Sequence, residues 1–354
     1  MADLRYNINR NSESDVINLM KKYDVIIIGA GLAGCVLGFL LKRQNKQVLT
    51  VEQKDIKKKS KLCGGIITSK AYTLLEDIYK EKITSLNFIE YDECKIINNN
   101  KKISLNKKIY TIDRKELDDF VLNEYLNLKG DLIDRINNFR IDNDMNKIII
   151  EDKEFGFDYL VAADGALSQV RKILTNRSQK LNFALESNIQ NYKYKDLEIH
   201  FSNNLKGYCW KIPNANYNLA GIGDVSGRTK IQIDFDKFIE QENISIDNTK
   251  GAFLANGNDI YLEFNQNIKF IGDAAGLTSP ITGEGIYYAL ASAKILSDNF
   301  DNYKSNMNKI LKQLRKENFY KKFVFNSKIR NHIFNQSEKK IYKNIVSIFV
   351  KKML

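Results

Sequence analysis

YDVIIIGAGLAGCVLGFLLKR, Tyr23–Arg43, decides the fold. Its first six residues, Tyr23 to Ile28, are mostly β-branched and read as a parallel strand buried on both faces. GAGLAG follows at Gly29 to Gly34, then an apolar helix to about Arg43. A second short strand, Gln47 to Val51, ends at Glu52, 18 residues beyond Gly34. Strand, glycine turn, helix, strand and acid stand in the order of a βαβ dinucleotide fingerprint. Gly29 permits the tight turn, Gly31 lets the backbone approach a pyrophosphate, and Gly34 lets helix and strand pack closely. The helix start offers unpaired N–H groups to phosphate. A carboxylate at Glu52 accepts hydrogen bonds from an adenosine ribose and disfavours a 2′-phosphate. The fingerprint alone does not separate NAD from FAD.

Later segments separate them. DYLVAADGALSQVRK, Asp158–Lys172, runs a strand into Asp164-Gly165, then a turn and a helix start with Ser168 and Arg171. KFIGDAAGLTSPITGEGIYYALASA, Lys269–Ala293, runs a strand into Gly272-Asp273, then Gly276, Pro280, Gly283 and Gly285, then a helix. KLCGGIITSKA (Lys61–Ala71), YTIDRKELDDFVL (Tyr110–Leu122) and GYCWKIP (Gly207–Pro213) stand around them. Together these segments, spread from Asp24 to about Lys294, resemble the flavoprotein superfamily of para-hydroxybenzoate hydroxylase. Within it they resemble the geranylgeranyl reductase family, most nearly its CbrA-like bacterial branch.

The resemblance implies FAD as cofactor. Asp273 is then expected on a ribitol hydroxyl; the plainer reading is an N-cap for the helix that follows. Gly272, Gly276, Pro280, Gly283 and Gly285 let the chain pass the pyrophosphate and the flavin edge. The helix from near Gly285 aims its dipole at the flavin N1/O2 edge. Glu284 opposes that charge, and is expected to cap the helix or face away. Asp164 and Gly165 hold a turn near the pyrophosphate, with Arg171 paired to Asp164 or left on the surface. Arg114 contacts the pyrophosphate or Glu52, or pairs with Asp118 at i+4. In the resembling family the Cys-Gly-Gly turn lies beside the isoalloxazine, which makes the Cys63 thiol a candidate proton donor after hydride transfer to an alkene. The plain alternative is a small residue in a turn shaped by Gly64 and Gly65. Tyr208, Trp210 and Tyr217 either line the substrate pocket or pack beneath a sheet. The run KKKSK, Lys57–Lys61, lies near the site and reads as an exposed loop, with contact to an anionic substrate or NADPH as the alternative.

The chain has 354 residues, 43% hydrophobic and 28% charged, enough for roughly two domains and a sizeable core. With only Pro213 and Pro280, no proline-rich linker marks a boundary, so the domains are expected to interleave. The expected class is α/β. A Rossmann-like FAD-binding domain takes residues 21–75, 105–180 and 268–300. A mainly antiparallel substrate sheet takes 76–104 and 181–267, with DLEIHF, NLAGIG, KIQIDF and DIYLEF as its period-2 strands. Residues 1–20 are an extension without fold significance, and 301–354 a basic helical region. Cys35, Cys63, Cys94 and Cys209 lack metal-ligand spacing, so no metal site is expected. His200 and His332 offer no nucleophile triad, and His200 reads as a strand residue.

Net charge is +12, yet 14 of 55 basic and 3 of 43 acidic residues fall in Asp301–Leu354, so the first 300 residues are near neutral. That tail, ending in IYKNIVSIFVKKML, is expected to dock as a terminal helix or touch an anionic membrane. Nucleic acid is not the expected partner. The uncharged run Val25–Leu41 is broken by glycines and is not a span. A cytoplasmic protein, peripheral at the inner membrane face through its tail, follows. The favoured activity is an FAD-dependent reductase of an apolar, isoprenoid-like unsaturated small molecule or lipid. An aromatic monooxygenase using NAD(P)H and oxygen is the alternative, and a non-catalytic membrane-associated flavoprotein the third. No second glycine fingerprint exists, which leaves NAD(P)H or another reductant open as electron donor.

Overall fold

The computed structural model describes residues 20–59, 61–190, 195–202, 205–224 and 228–336. The expected extension before Met20 and the final amphipathic stretch Ile341–Leu354 lie outside them. Among the described residues the strands form two sheets. The first orders β6 (Asp131–Ile133), β2 (Val48–Val51), β1 (Lys21–Ile28) and β9 (Lys153–Ala162). Beyond β9 lie β8 (Lys147–Ile150) and β7 (Phe139–Asp142) along its first half, and β15 (Ile268–Phe270) along its last residues. β6, β2, β1, β9 and β15 are parallel. The second half of the central strand β1, Val25 to Ile28, is continuously apolar and buried where helices cover the sheet. α1 (Leu32–Arg43) packs against both α3 (Arg114–Asn127) and α6 (Ile286–Asp298). Ile26, Ile27, Leu37 and Leu41 form the centre of that core.

The second sheet runs β14 (Lys250–Ala255), β10 (Leu181–Ile189), β13 (Asn218–Asp224), β12 (Gly207–Pro213), β11 (Glu198–Phe201), β4 (Ile89–Asn98), β5 (Lys101–Thr111) and β3 (Ile66–Thr68). It is antiparallel except where β11 lies beside β4. α2 (Ser69–Tyr79) follows β3, and Thr68 caps it by accepting from the Ala71 N–H. α4 (Gln169–Thr175) follows β9. The two sheets interleave along the chain, with a correction to the expected boundaries. β3 and residues 105–111 of β5, both assigned to the FAD domain, belong to the second sheet. The β4–β5 hairpin turns at Asn99–Asn100 and its ladder continues from Asn98–Lys101 to Ile89–Thr111, so no boundary falls at residue 105.

Two expected strands are absent. KIQIDF lies in helix α5 (Arg228–Gln241), where Ile231, Phe235 and Phe238 are buried at i, i+4 and i+7 against β10 and β13. That period outweighs the short alternation of Ile231, Ile233 and Phe235. DIYLEF is extended but joins β15 only through one bridge, Glu263–Lys269, because the chain turns back at Asn265–Asn267. The described part of the tail is helical as expected: α7 (Tyr303–Asn306), α8 (Asn308–Val324) and α9 (Ser327–Asn335). The buried Arg330 docks α9 on the second sheet by donating to Asn98 Oδ1 at 2.6 Å and Ser202 O at 2.6 Å. No helix among the described residues is long and apolar enough to cross a membrane.

Candidate functional site

The carboxyl ends of β1, β2, β9 and β15 meet at one place, which is where open α/β sheets bind ligands. Gly29 N–H donates to Val51 O at 2.7 Å, Ala163 N–H to Ile28 O at 2.8 Å and Ile271 N–H to Ala162 O at 3.0 Å. Only glycine fits at position 29: its φ is +109° and a Cβ would stand 2.4 Å from Ala163 O. A Cβ at Gly34 would stand 2.0 Å from Gly29 O, so this glycine sets the close approach of α1 to the turn. Gly31 is different, because a Cβ there would meet nothing nearer than Lys59 Nζ at 3.9 Å. The backbone at Gly31 fronts open space, as it does at Gly165, which has nothing within 4 Å. Neither α1 nor α6 has a side-chain cap at its first turn, so both present free N–H groups to an anion.

The acids named from the sequence gather around this space. Glu52 accepts from Ala30 N–H and Lys54 N–H, both at 3.0 Å, and from the Lys59 ammonium. Burial pushes its pKa up, but Lys59 and the backbone donors bring it below the ordinary value. Asp273 lies 2.6 Å from Lys61 Nζ, and against burial that ammonium holds its carboxyl low. It caps nothing on α6, whose N-cap is Gly285. Lys59 and Lys61 thus belong to the site, although their run reads as an exposed loop. Glu284 does not cap α6 either; it accepts from Thr68 Oγ1 at 2.6 Å, and burial raises its pKa. Asp164 Oδ2 accepts from Val170 N–H at 3.0 Å at the start of α4, and its Oδ1 is a buried atom with no partner. Arg171 pairs with neither Asp164 nor solvent. It reaches Asp259 Oδ1 at 2.6 Å, an acid inside the segment expected as a strand. Arg114 is buried and paired with Asp118 at 2.9 Å, the i+4 alternative, with its guanidinium also beside the Cys63 sulfur.

The same space continues to the second sheet. One cavity of about 990 Å³ is lined by Gly29, Gly31, Glu52, Asp164 and Asp273 at one end. Cys63, Gly64, Tyr208, Trp210, Ile212 and Tyr217 line the other. Trp210 lies flat on β13: a Cβ at Gly221 would meet its indole at 2.3 Å, so the glycines of NLAGIGD make room for the ring. The Tyr208 hydroxyl donates to Thr282 O, tying the aromatic wall to the glycine loop. Burial, with Asp113 beside the hydroxyl, raises the Tyr217 pKa.

Glu186 was not singled out from the sequence. It is 5% exposed, lines the cavity, and burial pushes its pKa up to about 7. The Trp210 indole N–H leans toward it and lowers that value slightly, without a hydrogen bond of normal geometry. The signal was present in the alternation of β10. Leu185 and Ile189 pack into a core cluster, while Asn182, Ala184, Glu186 and Asn188 face the cavity, which Phe183 and Ser187 also touch. Small and polar, that second phase reads as a solvent face. Near neutral pH the carboxyl can hold or release a proton at the cavity wall.

His200 is a strand residue, as expected. Its Nε2 lies 3.1 Å from Glu198, and Lys211 bridges Glu198 and Glu242 at 2.7 and 2.5 Å. The ammonium fills the place a cation would take among these acids.

Residues 23–196 match a family model described as pyridine nucleotide-disulphide oxidoreductase. The uncharacterized protein Mbar_A1602 of Methanosarcina barkeri is 30% identical over 291 residues, covering 79% of this chain and 74% of that one. Geranylgeranyl diphosphate reductase of Rhodobacter capsulatus is 25% identical over 313 residues, covering 78% and 74%. Among solved structures, a geranylgeranyl bacteriochlorophyll reductase-like protein from Thermoplasma acidophilum superposes with a TM-score of 0.75. It is 18% identical and covers 94% of this chain and 96% of its own. PqsL of Pseudomonas aeruginosa, described as a probable FAD-dependent monooxygenase, gives 0.72 at 15% identity, covering 89% and 99%. These last two show the fold.

Proposed function

We propose that the chain, whose residues 23–196 match the pyridine nucleotide-disulphide oxidoreductase model, is a flavin-dependent reductase of apolar, isoprenoid-like unsaturated substrates. One observation carries the reading: a single cavity joins the dinucleotide cradle to an aromatic wall bearing Cys63 and Glu186. Open backbone at Gly31 and Gly165, uncapped starts of α1 and α6, and the unpartnered Asp164 Oδ1 all fit FAD. Glu52 would hold the adenosine ribose, the start of α1 the pyrophosphate, and Asp273 the ribitol chain. Bound FAD supplies hydride chemistry in its reduced form.

The protein's residues do the rest. Trp210, Tyr208 and Ile212 exclude water and hold an apolar chain. The free N–H groups at the start of α6 favour negative charge on a ring placed there. Among the protic groups on the wall, Glu186 and Cys63 are assigned the proton that completes saturation of a double bond, since the Tyr208 hydroxyl is engaged with Thr282 O and the Tyr217 hydroxyl lies beside Asp113. The CbrA-like placement rests on the sequence motifs, and the favoured substrate class on the names of relatives such as the Rhodobacter enzyme.

Anaerobic reduction of the FAD-loaded protein by NADH, NADPH and dithionite tests the reading, with flavin absorbance followed on adding air or polyprenyl lipids. Reduced flavin that survives air and is reoxidised by a lipid supports it. Fast reoxidation by air, with an aromatic that speeds reduction, replaces it with the monooxygenase reading that the likeness to PqsL favours. Reduction with no turnover of either kind leaves a flavin-binding protein without catalysis.

A further inference from the structure

We propose that helix α8 is a docking face for an anionic lipid bilayer. Lys309, Lys312, Arg315, Lys316 and Lys322 are all exposed along it, and so is Phe319 at 56%. At 100° per residue these six fall on one side of the helix, opposite the buried Ile310, Leu314 and Val324. The one acid of the helix, Glu317, is on the buried side, where it accepts from Gln313 Nε2 at 2.9 Å. The outer face therefore carries five cations and no compensating carboxylate of its own. Phe319 stands among them with Phe323 beside it at 5.6 Å, and the Lys322 ammonium lies over both rings at 4.5 and 5.2 Å. An aromatic ring ringed by long amines is the arrangement that suits a headgroup boundary. The ring enters the acyl edge and the amines reach up to phosphate. A bilayer offers phosphate and acyl chain side by side along a flat face, which is the pattern that the amines and the Phe319 and Phe323 rings present.

The placement of α8 adds a second argument. Its Lys321 and Phe325, just past its end, line the large cavity. One helix thus meets the cavity on one side and carries the cationic face on the other. A bilayer seated on α8 lies about one helix diameter, roughly 10 Å, from the cavity wall. The purpose of such a face rests on the lipid-substrate reading, but the face itself is testable without turnover.

The full-length, FAD-loaded protein is sedimented with vesicles of phosphatidylcholine alone and of phosphatidylcholine with 30 mol% phosphatidylglycerol (about the fraction that gives a strong surface potential). The wild type is expected to bind only the anionic vesicles and to be released by about 0.5 M salt. The variant K312E/R315E/K316E/K322E, with flavin content and circular dichroism unchanged, is expected to bind at least on the order of a thousandfold more weakly. F319S is expected to weaken binding less, and to move release to a lower salt concentration. Wild-type protein that ignores anionic vesicles overturns the proposal. So does a charge-reversed variant that binds as wild type, which would move the contact to another segment. Turnover of detergent-solubilised polyprenyl lipid by the charge-reversed variant separates the two readings: if it persists, the substrate reading stands whatever the vesicles show.

Discussion

Glu186 is the residue on which chemistry and stability pull in opposite directions. Its folded pKa of about 7 lies above the ordinary 4.5, so the folded state binds the extra proton between those values. Its contribution is fully favourable below pH 4.5 and is lost as pH rises through 7, a change on the order of 3 kcal/mol. Glu186→Gln should therefore make the apoprotein more stable than wild type at pH 8 and no more stable at pH 4.5, as read from urea midpoints. The same variant should retain FAD and flatten the pH dependence of substrate-driven flavin reoxidation around pH 7. Cys63→Ser, at the other protic position, should leave that pH dependence in place. The two glycines of the fingerprint make a paired prediction. Gly31→Ala should leave the apoprotein as stable as wild type and weaken FAD at least tenfold, on the order of 1.4 kcal/mol, in a fluorescence titration. Gly34→Ala meets a backbone oxygen at 2.0 Å and should instead destabilise the apoprotein, lowering its melting temperature with or without cofactor.

Elements show why some of the site was legible and some was not. The βαβ unit is readable because turn, helix start and acid follow one another within thirty residues, and each needs a particular residue type. The later cradle at Gly272–Gly285 is readable for the same reason. Helix α5 is not, because Ile231, Ile233 and Phe235 satisfy a strand's period over six residues. Only a window reaching Phe238 reveals the helix. Ile233, half exposed, is the residue that alternation wrongly turned inward. Phe235→Ala, removing a fully buried ring between α5 and the sheet, should cost about 3–5 kcal/mol in a denaturant titration. Ile233→Ala on the same helix should cost under about 1 kcal/mol, which a strand in this place would not allow. Lys59 and Lys61 were missed for a different reason. A lysine run reads as solvated unless the acids it reaches are known, and Asp273 is 212 residues away from Lys61.

At the scale of the whole molecule, two sheets share one chain that leaves the first sheet twice and returns to it twice. Neither sheet can be cut out as a continuous segment, so thermal unfolding of the apoprotein is expected as one cooperative transition. Calorimetric and van't Hoff enthalpies that disagree would contradict this. The buried cluster around Lys211 on the second sheet tests it from afar. Lys211→Met removes the ammonium from Glu198 and Glu242, leaving His200 beside them, and should cost about 1–3 kcal/mol. In a single transition, that loss should weaken the distant dinucleotide cradle by the same amount. The order of strands also sets a schedule during synthesis. β15 completes the parallel sheet, and the Gly272–Gly285 loop closes the cradle, only after every described strand of the second sheet has been made. A ribosome-bound nascent chain can form β1, α1 and β2 early. It cannot retain a flavin until β15 slides in beside β9, so cofactor capture waits for strands of both sheets, and cellular flavin meets a body in which each sheet is already in place.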